Sequence, residues 1–532
     1  MKQAWKELDK RVYIMTFSII MLLVALLGLC PDIMKIGIEG AYSLVVGRFG
    51  WMYVAANAGC FLLFFYLCLS KYGNIKLGKP QDKPRFSTFS WAAMIFTSGA
   101  GSSTVILGFA EPLYYLTDTP FHIQPMSEEA YEYAHMYGQF HWGLSAWAFY
   151  VPAIAAISYM LYMRDSRDVK LSSTMSPLFG KKFRDGLAAK ILDTVVAVGI
   201  AASITTSLGL GVPVMSRLIS DLTGIPDGKG IQLFVFTVWF LIFGWSVFRG
   251  LENGIQKLTN VNMKIIFAFL LIFLVVVPAG EILGMELNSI GLYLQNLPRM
   301  VFYTDPFGDK TFVSGWTMFY WAWWLIFIPI MGIFIAKVSR GRTLRQVLVG
   351  QMLWGTLGCC TFLAVLGGYS LYLQKNGIVD LVSIVAEEGN EGAVLAIMHT
   401  LPWSKFFILV LVILCFVFLA TTIDSTALVL GTATSERLDP DKDPHLYIRF
   451  SWALAIFALS IALSFVGGLK LVQSFAIVLG FPLIFIAVLI TISVLKAIRQ
   501  DYGDKSREQI IEETQYGQGE QKCEEPDCTA EF

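Results

Sequence analysis

Apolar positions along the chain come in long, nearly unbroken runs separated by short polar, charged or glycine-rich joints. Neither the strict alternation of a half-buried strand nor the one-sided stripe of a soluble helix describes them. A helix of about 20 apolar residues crosses the roughly 30 Å hydrocarbon layer of a bilayer. Stretches of that size lie near 12–30, 50–70, 89–109, 141–163, 190–213, 231–248, 262–280, 315–336, 347–373, 403–431, 450–467 and 473–495. The pattern predicts an all-α polytopic membrane protein with 12 transmembrane helices. No small-residue cleavage pattern follows the first run, so it reads as a retained helix. Between spans 7 and 8 the stretch 285–300 is only moderately apolar and ends near Pro298, which predicts a helix lying along the interface.

Composition agrees: with 55% hydrophobic and 15% charged residues over 532 positions, the chain could not clothe a soluble domain of its size. Net charge is zero, so there is no global basic field and no nucleic-acid partner is expected. The charges matter by position. If both termini are cytoplasmic, the cytoplasmic segments hold 31 of the 40 Lys and Arg residues. The external segment 118–139 then has four acidic residues and neither Lys nor Arg. This bias predicts a multi-pass protein of the cell membrane, in contact with lipid, with both termini inside. Six of the eight cysteines (Cys30, Cys60, Cys68, Cys359, Cys360 and Cys415) sit in apolar runs and act as small hydrophobes. Cys523 and Cys528 fall in an acidic tail, from 501 onward, that reads as a solvated segment with free thiols.

Two spans are unusual. Span 3 contains Ser98, Gly99, Ala100, Gly101, Ser102 and Ser103 in succession, a run that weakens a helix where unwound backbone is tolerated only beside a cavity. Span 8, five spans later, carries Gly315, Pro329 and Gly332. Interrupted helices at matching places in two five-helix halves point to an inverted repeat with a site at mid-depth; close packing through small residues is the competing reading. The expected organisation is 1–88 with spans 1 and 2, 89–280 as the first repeat, 281–314 as interfacial helix and external loop, 315–495 as the second repeat, and 496–532 as the tail.

Span 8 also concentrates aromatics. At about 100° per residue, Trp316, Tyr320, Trp323, Trp324 and Phe327 fall within an arc of roughly 100°. At about 1.5 Å per residue, Trp323 to Phe327 lie on the order of 10 to 16 Å below the outer helix end. That is too deep for an interfacial belt, although Trp316 could belong to one. A quaternary nitrogen has no N–H to donate, and aromatic faces attract it by about 0.5 to 2 kcal/mol each without a buried formal charge. Plain core packing of the rings is the alternative. Span 10 runs from Phe418 through Thr421, Thr422, Asp424 and Ser425. Intramembrane polar clusters of this kind are functional by default. Sodium takes oxygen ligands, which the two threonine hydroxyls and carbonyls of an unwound span 3 near Thr97 and Ala100 would supply. In the other reading the hydroxyls bond back to their own helix and Asp424 caps its inner end.

The stretches 316–324 (WTMFYWAWW), 335–343 (IAKVSRGRT), 108–115 (GFAEPLYY) and 140–143 (FHWG) resemble the motifs of the betaine/carnitine/choline transporter (BCCT) family over nearly the whole chain. The resemblance implies a LeuT-like fold with repeats in spans 3–7 and 8–12, and a homotrimer. It implies that Tyr114, Trp142, Trp323 and Trp324 form a substrate cage, with Phe327 and Met331 on the helix of the last two, that Trp316 lines the outer vestibule, and that Thr421 and Thr422 match the second sodium site of the family's symporters, which Phe418 and the span 3 residues Thr97 and Ala100 would complete. The stretches 297–300 (LPRM) and 303–306 (YTDP) together with Met331 are similar to the carnitine/γ-butyrobetaine antiporter. Phe327 and Ile330 stand where that antiporter has a tyrosine and a glutamine, and Asn262 where it has an arginine that stands in for the ion. Ser102 and Ser103 depart from the glycine-rich span 3 of choline transporters. The expected ligand is thus a quaternary-ammonium solute, glycine betaine, carnitine or a related betaine. Transport is expected to be sodium-coupled uptake, with cation-independent exchange as the alternative. Beyond Na⁺ as a coupling ion, no cofactor or other metal is expected.

An enzyme is not expected, since His122, His135, His141, His399 and His445 are scattered without metal or acid–base spacing. A channel is not expected either, because no span carries a filter-like ring motif.

Overall fold

The computed structural model describes residues 2–99, 101–166, 168–250, 256–436, 443–464, 466 and 469–516. Every named element in them is helical. Asp9 opens the first long helix by accepting the Val12 N–H on its side chain, the usual way to satisfy a bare helix start. Three helices then follow with single-residue joints: α1 (Lys10–Leu29), α2 (Pro31–Phe49) and α3 (Trp51–Leu69). α2 is an addition to the sequence expectation, which left these residues as a connection. Its composition is too mixed to suggest a crossing, and most of its side chains are exposed.

The predicted span 3 is two helices, α4 (Thr88–Gly99) and α5 (Ser102–Tyr115), with a bend of 60° between them. Span 4 begins at Glu128 rather than 141, because Ser127 caps a helix whose polar first turns are mostly buried only further along. It runs as α6 (Glu128–Trp142), α7 (Leu144–Ala148) and α8 (Val151–Tyr162). α9 (Leu187–Thr223) ends at Gly224, whose φ of +74° is the left-handed cap that glycine takes without strain. Then come α10 (Lys229–Gly250), α11 (Gln256–Val276) and α12 (Ala279–Phe302), the last covering the stretch expected to lie along the interface and longer than the expected 285–300.

A π-helical turn, Val313–Thr317, leads into α13 (Met318–Val338). The expected interruption of span 8 is absent: the helix continues through Pro329, and all of its side chains are buried. Pro329 removes one donor, but packing on every side holds the helix together. α14 (Leu344–Phe362) starts with a capping box of Thr343 and Gln346. It passes through a second π turn, Leu363–Gly367, into α15 (Gly368–Lys375). α16 (Leu381–His399) was also not expected from the sequence. It is capped by Asp380 and broken at Gly389, where φ is +71°. α17 (Ser404–Ala433), α18 (Leu446–Ser464) and α19 (Leu469–Tyr502) follow. The start of the supposedly solvated tail is a docked helix, α20 (Arg507–Ile511), with Ile510 fully buried; residues 517–532, with Cys523 and Cys528, lie outside the described residues.

Among the described residues, ten helices are long and apolar enough to cross a membrane, and the bent α4/α5 pair makes an eleventh. The apolar stretch of α10, Lys229–Ile242, is shorter. α13 lies at the centre, packed on α8, α19 and α9. Connections gather at two opposite ends. At the end carrying the termini, the Asp9 N–H donates to the Thr434 carbonyl at 2.9 Å, Lys170 pairs with Asp9 at 2.7 Å, and Arg164 pairs with Asp501 at 2.8 Å. At the far end, His122 meets Asp305 at 2.8 Å, His399 meets Asp221 at 3.0 Å and Arg217 meets Glu388 at 3.0 Å. The six described cysteines are all free.

Candidate functional site

The bend between α4 and α5 places Gly99 and Gly101 against α7 and α17: a Cβ on Gly99 would meet the Trp147 ring at 2.7 Å, and one on Gly101 would meet Thr422 Oγ1 at 3.3 Å. This small-residue wall faces α13. Between them is a small cavity of about 10 Å³ lined by Gly99, Gly101, Ser103, Trp142, Tyr150, Ser207, Trp323, Trp324 and Phe327. The volume is that of about one water, so anything larger enters only as the walls part.

Four of the predicted aromatics therefore wall one cavity. The Trp142 ring stands edge-to-face with Trp323 (5.7 Å, 79°) and Trp324 (5.7 Å, 84°). Phe327 is 6.5 Å from Trp323. Trp324 is held by its indole N–H, which donates to the His141 carbonyl at 3.0 Å. Tyr114 and Trp316 are elsewhere: their rings pair at 5.1 Å one layer toward the far end. There the Tyr114 hydroxyl donates to Asn390 at 3.1 Å and the Trp316 indole to Asp118 at 3.1 Å. Met331 lies behind the wall, with its methyl toward Gly99.

Among the described residues, no charged side chain lines the cavity. Three buried polar atoms on its lining residues, Ser103 Oγ, the Tyr150 hydroxyl and Trp323 Nε1, have no hydrogen-bond partner among the described residues. Buried donors are seldom left unpaired unless they serve a ligand or water. Tyr150 and Ser207 were not singled out from sequence. Tyr150 sits at the joint of two short helices and Ser207 within a long apolar one, so neither carried a periodic signal.

Behind Trp142 lies a buried polar cluster. The Glu111 carboxylate, wholly enclosed, accepts the Tyr115 hydroxyl at 2.5 Å, the Trp142 indole N–H at 2.8 Å and the Tyr320 hydroxyl. His141 Nδ1 is 2.7 Å from the Tyr115 hydroxyl, and its Nε2 is 3.1 Å from Thr317 Oγ1.

The second predicted cluster is where α17 crosses the end of α4. Thr422 donates to the Thr97 carbonyl at 3.3 Å and lies 3.4 Å from the Phe418 carbonyl. Thr421 donates to the Phe418 carbonyl at 2.6 Å, and Thr97 Oγ1 is 3.3 Å from Thr259 Oγ1 on α11. Thr97, Phe418, Thr421 and Thr422 are thus together, while Ala100 lies outside the described residues. Asn262, one turn beyond Thr259, is fully buried, and neither end of its amide is hydrogen-bonded among the described residues. Asp424 is not a helix cap: it sits inside α17 and pairs with Arg449 of α18 at 3.1 Å.

Among solved structures, a Na⁺-coupled sialic acid symporter in a substrate-bound outward-open state aligns over 87% of this chain and 96% of its own, at 9% identity and a TM-score of 0.43. The family model described as betaine/carnitine/choline family transporter matches residues 11–503. On that match the chain belongs to the BCCT family, and it is a multi-pass membrane transporter rather than an enzyme.

Proposed function

We infer that this transporter carries a small zwitterionic quaternary-ammonium solute of the betaine class by sodium-coupled uptake. The observation that supports the solute is the cavity wall: three indoles and a phenyl ring with no carboxylate among them. Ring faces attract a methylated cation, while a buried carboxylate would first have to be desolvated. The unpaired donors Ser103, Tyr150 and Trp323 suit the carboxylate end of a betaine, which has two acceptor oxygens where choline has one hydroxyl, and this favours the zwitterion.

The coupling ion is read from oxygen. Carbonyls of Thr97 and Phe418 and hydroxyls of Thr421 and Thr422 converge, and such neutral oxygens fit a hard monovalent cation. When bound there, sodium would brace α17 against the bend in span 3. Asn262 beside this cluster is an amide, so no fixed positive charge from that position replaces the ion. The same reading takes α10 as the twelfth crossing, places both termini in the cytoplasm of a cell-membrane protein by the Lys/Arg bias, and adopts the five-plus-five inverted repeat and the trimer that family membership implies.

Reconstituted vesicles test it. Labelled glycine betaine should enter several-fold faster with an inward sodium gradient than with potassium. Entry that ignores sodium yet requires vesicles preloaded with unlabelled betaine or carnitine would establish exchange and overturn symport. Failure of every methylammonium compound to bind the purified protein would overturn the solute class.

A further inference from the structure

Glu111 touches no part of the cavity, yet three donors converge on it. One oxygen accepts Tyr115 at 2.5 Å, and the other accepts both the Trp142 indole at 2.8 Å and the Tyr320 hydroxyl. An indole nitrogen can only donate, so the oxygen facing Trp142 is an acceptor. One consistent assignment of the remaining hydrogen bonds runs toward Glu111. Thr317 donates to His141 Nε2, His141 Nδ1–H donates to the Tyr115 oxygen, and Tyr115 donates to Glu111. In this arrangement the imidazole is neutral and the carboxylate is ionised, with every proton of the cluster pointing toward it.

An ionised carboxylate with zero exposure is costly unless its surroundings supply compensation. Here the compensation includes a ring of the cavity wall. Trp142 turns its N–H to Glu111 and its ring to the cavity, edge-to-face with Trp323 and Trp324. A hydrogen bond from an indole N–H to an anion pushes electron density into the ring and deepens its negative face, which is the part that attracts a cation. The formal charge also lies only one indole's width behind the cavity, in a medium that screens it weakly. A carboxylate inside the cavity would bind any ammonium or metal ion directly. One placed behind the wall acts through the ring and leaves the wall apolar.

We propose that Glu111 is a positioning and specificity-determining residue: through the Trp142 N–H it orients and charges the cavity wall, and so sets the preference for a cationic headgroup over an uncharged headgroup of the same shape. This rests on the quaternary-ammonium reading above. The probes are glycine betaine and 3,3-dimethylbutanoate, in which a tert-butyl group replaces trimethylammonium at nearly equal size, and the readout is the ratio of their affinities for the purified full-length protein. Wild-type protein should favour betaine. Glu111→Gln keeps the size and most hydrogen-bonding capacity. It should weaken betaine at least tenfold while leaving 3,3-dimethylbutanoate, an anion whose headgroup is uncharged, no weaker, so that the ratio collapses. A merely structural residue would weaken both ligands alike and keep the ratio, which would overturn the proposal. If Glu111→Gln does not fold, Trp142→Phe, which removes the N–H and keeps a ring, should lower the ratio at least threefold, and an unchanged ratio counts against the proposal. Wild-type protein that shows no preference for betaine would instead overturn the solute assignment.

Discussion

The cavity is shaped from behind as much as from within. Trp147 lies against Gly355 of α14 on one side and Gly99 on the other, and its ring contacts Trp324 (5.8 Å) and Tyr150 (5.4 Å) of the wall. A methyl group added at Gly355 would overlap the indole. The ring would have to move toward the cavity, because close-packed interiors have no slack to take it up. Gly355→Ala should therefore destabilise by about 1 to 3 kcal/mol through overpacking, against the modest gain alanine normally brings to a helix, and it should weaken ligand binding as well. Gly59→Ala on α3, where the added Cβ meets nothing within 4 Å, is the control and should be neutral or stabilising. Thermal unfolding and ligand affinity in detergent check both; equal behaviour of the two variants would refute the packing argument.

Between elements, the joint of α17 and α18 is a buried ion pair. Arg449 is 2% exposed and Asp424 fully enclosed, at 3.1 Å, with Asp443 a further 3.7 Å from the same guanidinium. Removing Asp424 takes the shorter of these two carboxylate contacts from a buried guanidinium, whereas replacing both Asp424 and Arg449 with apolar groups of similar volume removes the charge along with its partner. Asp424→Ala should cost about 3 kcal/mol, and Asp424→Leu with Arg449→Met should recover most of it. Differential scanning of the purified variants decides, and a neutral single substitution would sink the idea. This pair also marks where sequence reading stopped. The apolar runs were legible because bilayer thickness sets a length that any window can measure. Trp323 and Trp324 were legible because a motif and a helical arc coincide on them, Trp142 through its motif and Phe327 through the arc. Asp424 was noticed, but Arg449 is 25 positions on and looks like an ordinary basic residue at a helix start; only folding makes them partners. α2 and α16 were missed because their composition is mixed and neither needs to cross the bilayer. The continuity of span 8 was misjudged because glycine and proline mark helix breaks only when surrounding packing does not override them.

For the molecule as a whole, two of the helices that line the cavity, α4 and α13, are tied together at the end carrying the termini. The Leu77 N–H donates to the Arg342 carbonyl at 2.9 Å and the Leu344 N–H to the Ile75 carbonyl at 2.8 Å. The Trp91 indole donates to Ser339 at 2.9 Å, and Arg340 pairs with Asp82 at 2.9 Å. At the far end the corresponding ties are Trp316 to Asp118 and Tyr114 to Asn390. A transporter that exposes one site alternately to two sides must loosen these sets in turn, so weakening one set should bias the population toward opening on its own side. Asp82 gives a measurable case. The pair is partly exposed, with side-chain accessibilities of 38% for Arg340 and 17% for Asp82, so its contribution is at most about 1 kcal/mol, which corresponds to a population shift of no more than about fivefold. With Ser207→Cys as a reporter in the cavity wall, Asp82→Asn should speed labelling by a membrane-impermeant thiol reagent supplied at the termini end by about two- to fivefold. Asp118→Asn should slow it. The pH dependence has a definite sign: although burial pushes the Asp82 carboxyl up, the Arg340 guanidinium and the Lys79 N–H outweigh it and hold the group below the ordinary carboxylate range. The tie is thus intact above the unfolded value of about 4 and is lost only as pH falls through the lowered one. The ratio of Asp82→Asn to parent labelling rates should therefore stay level from about pH 5 to 9. A ratio of one throughout would mean that this pair does not hold the termini end closed, and a ratio falling within that range would mean that a different group does.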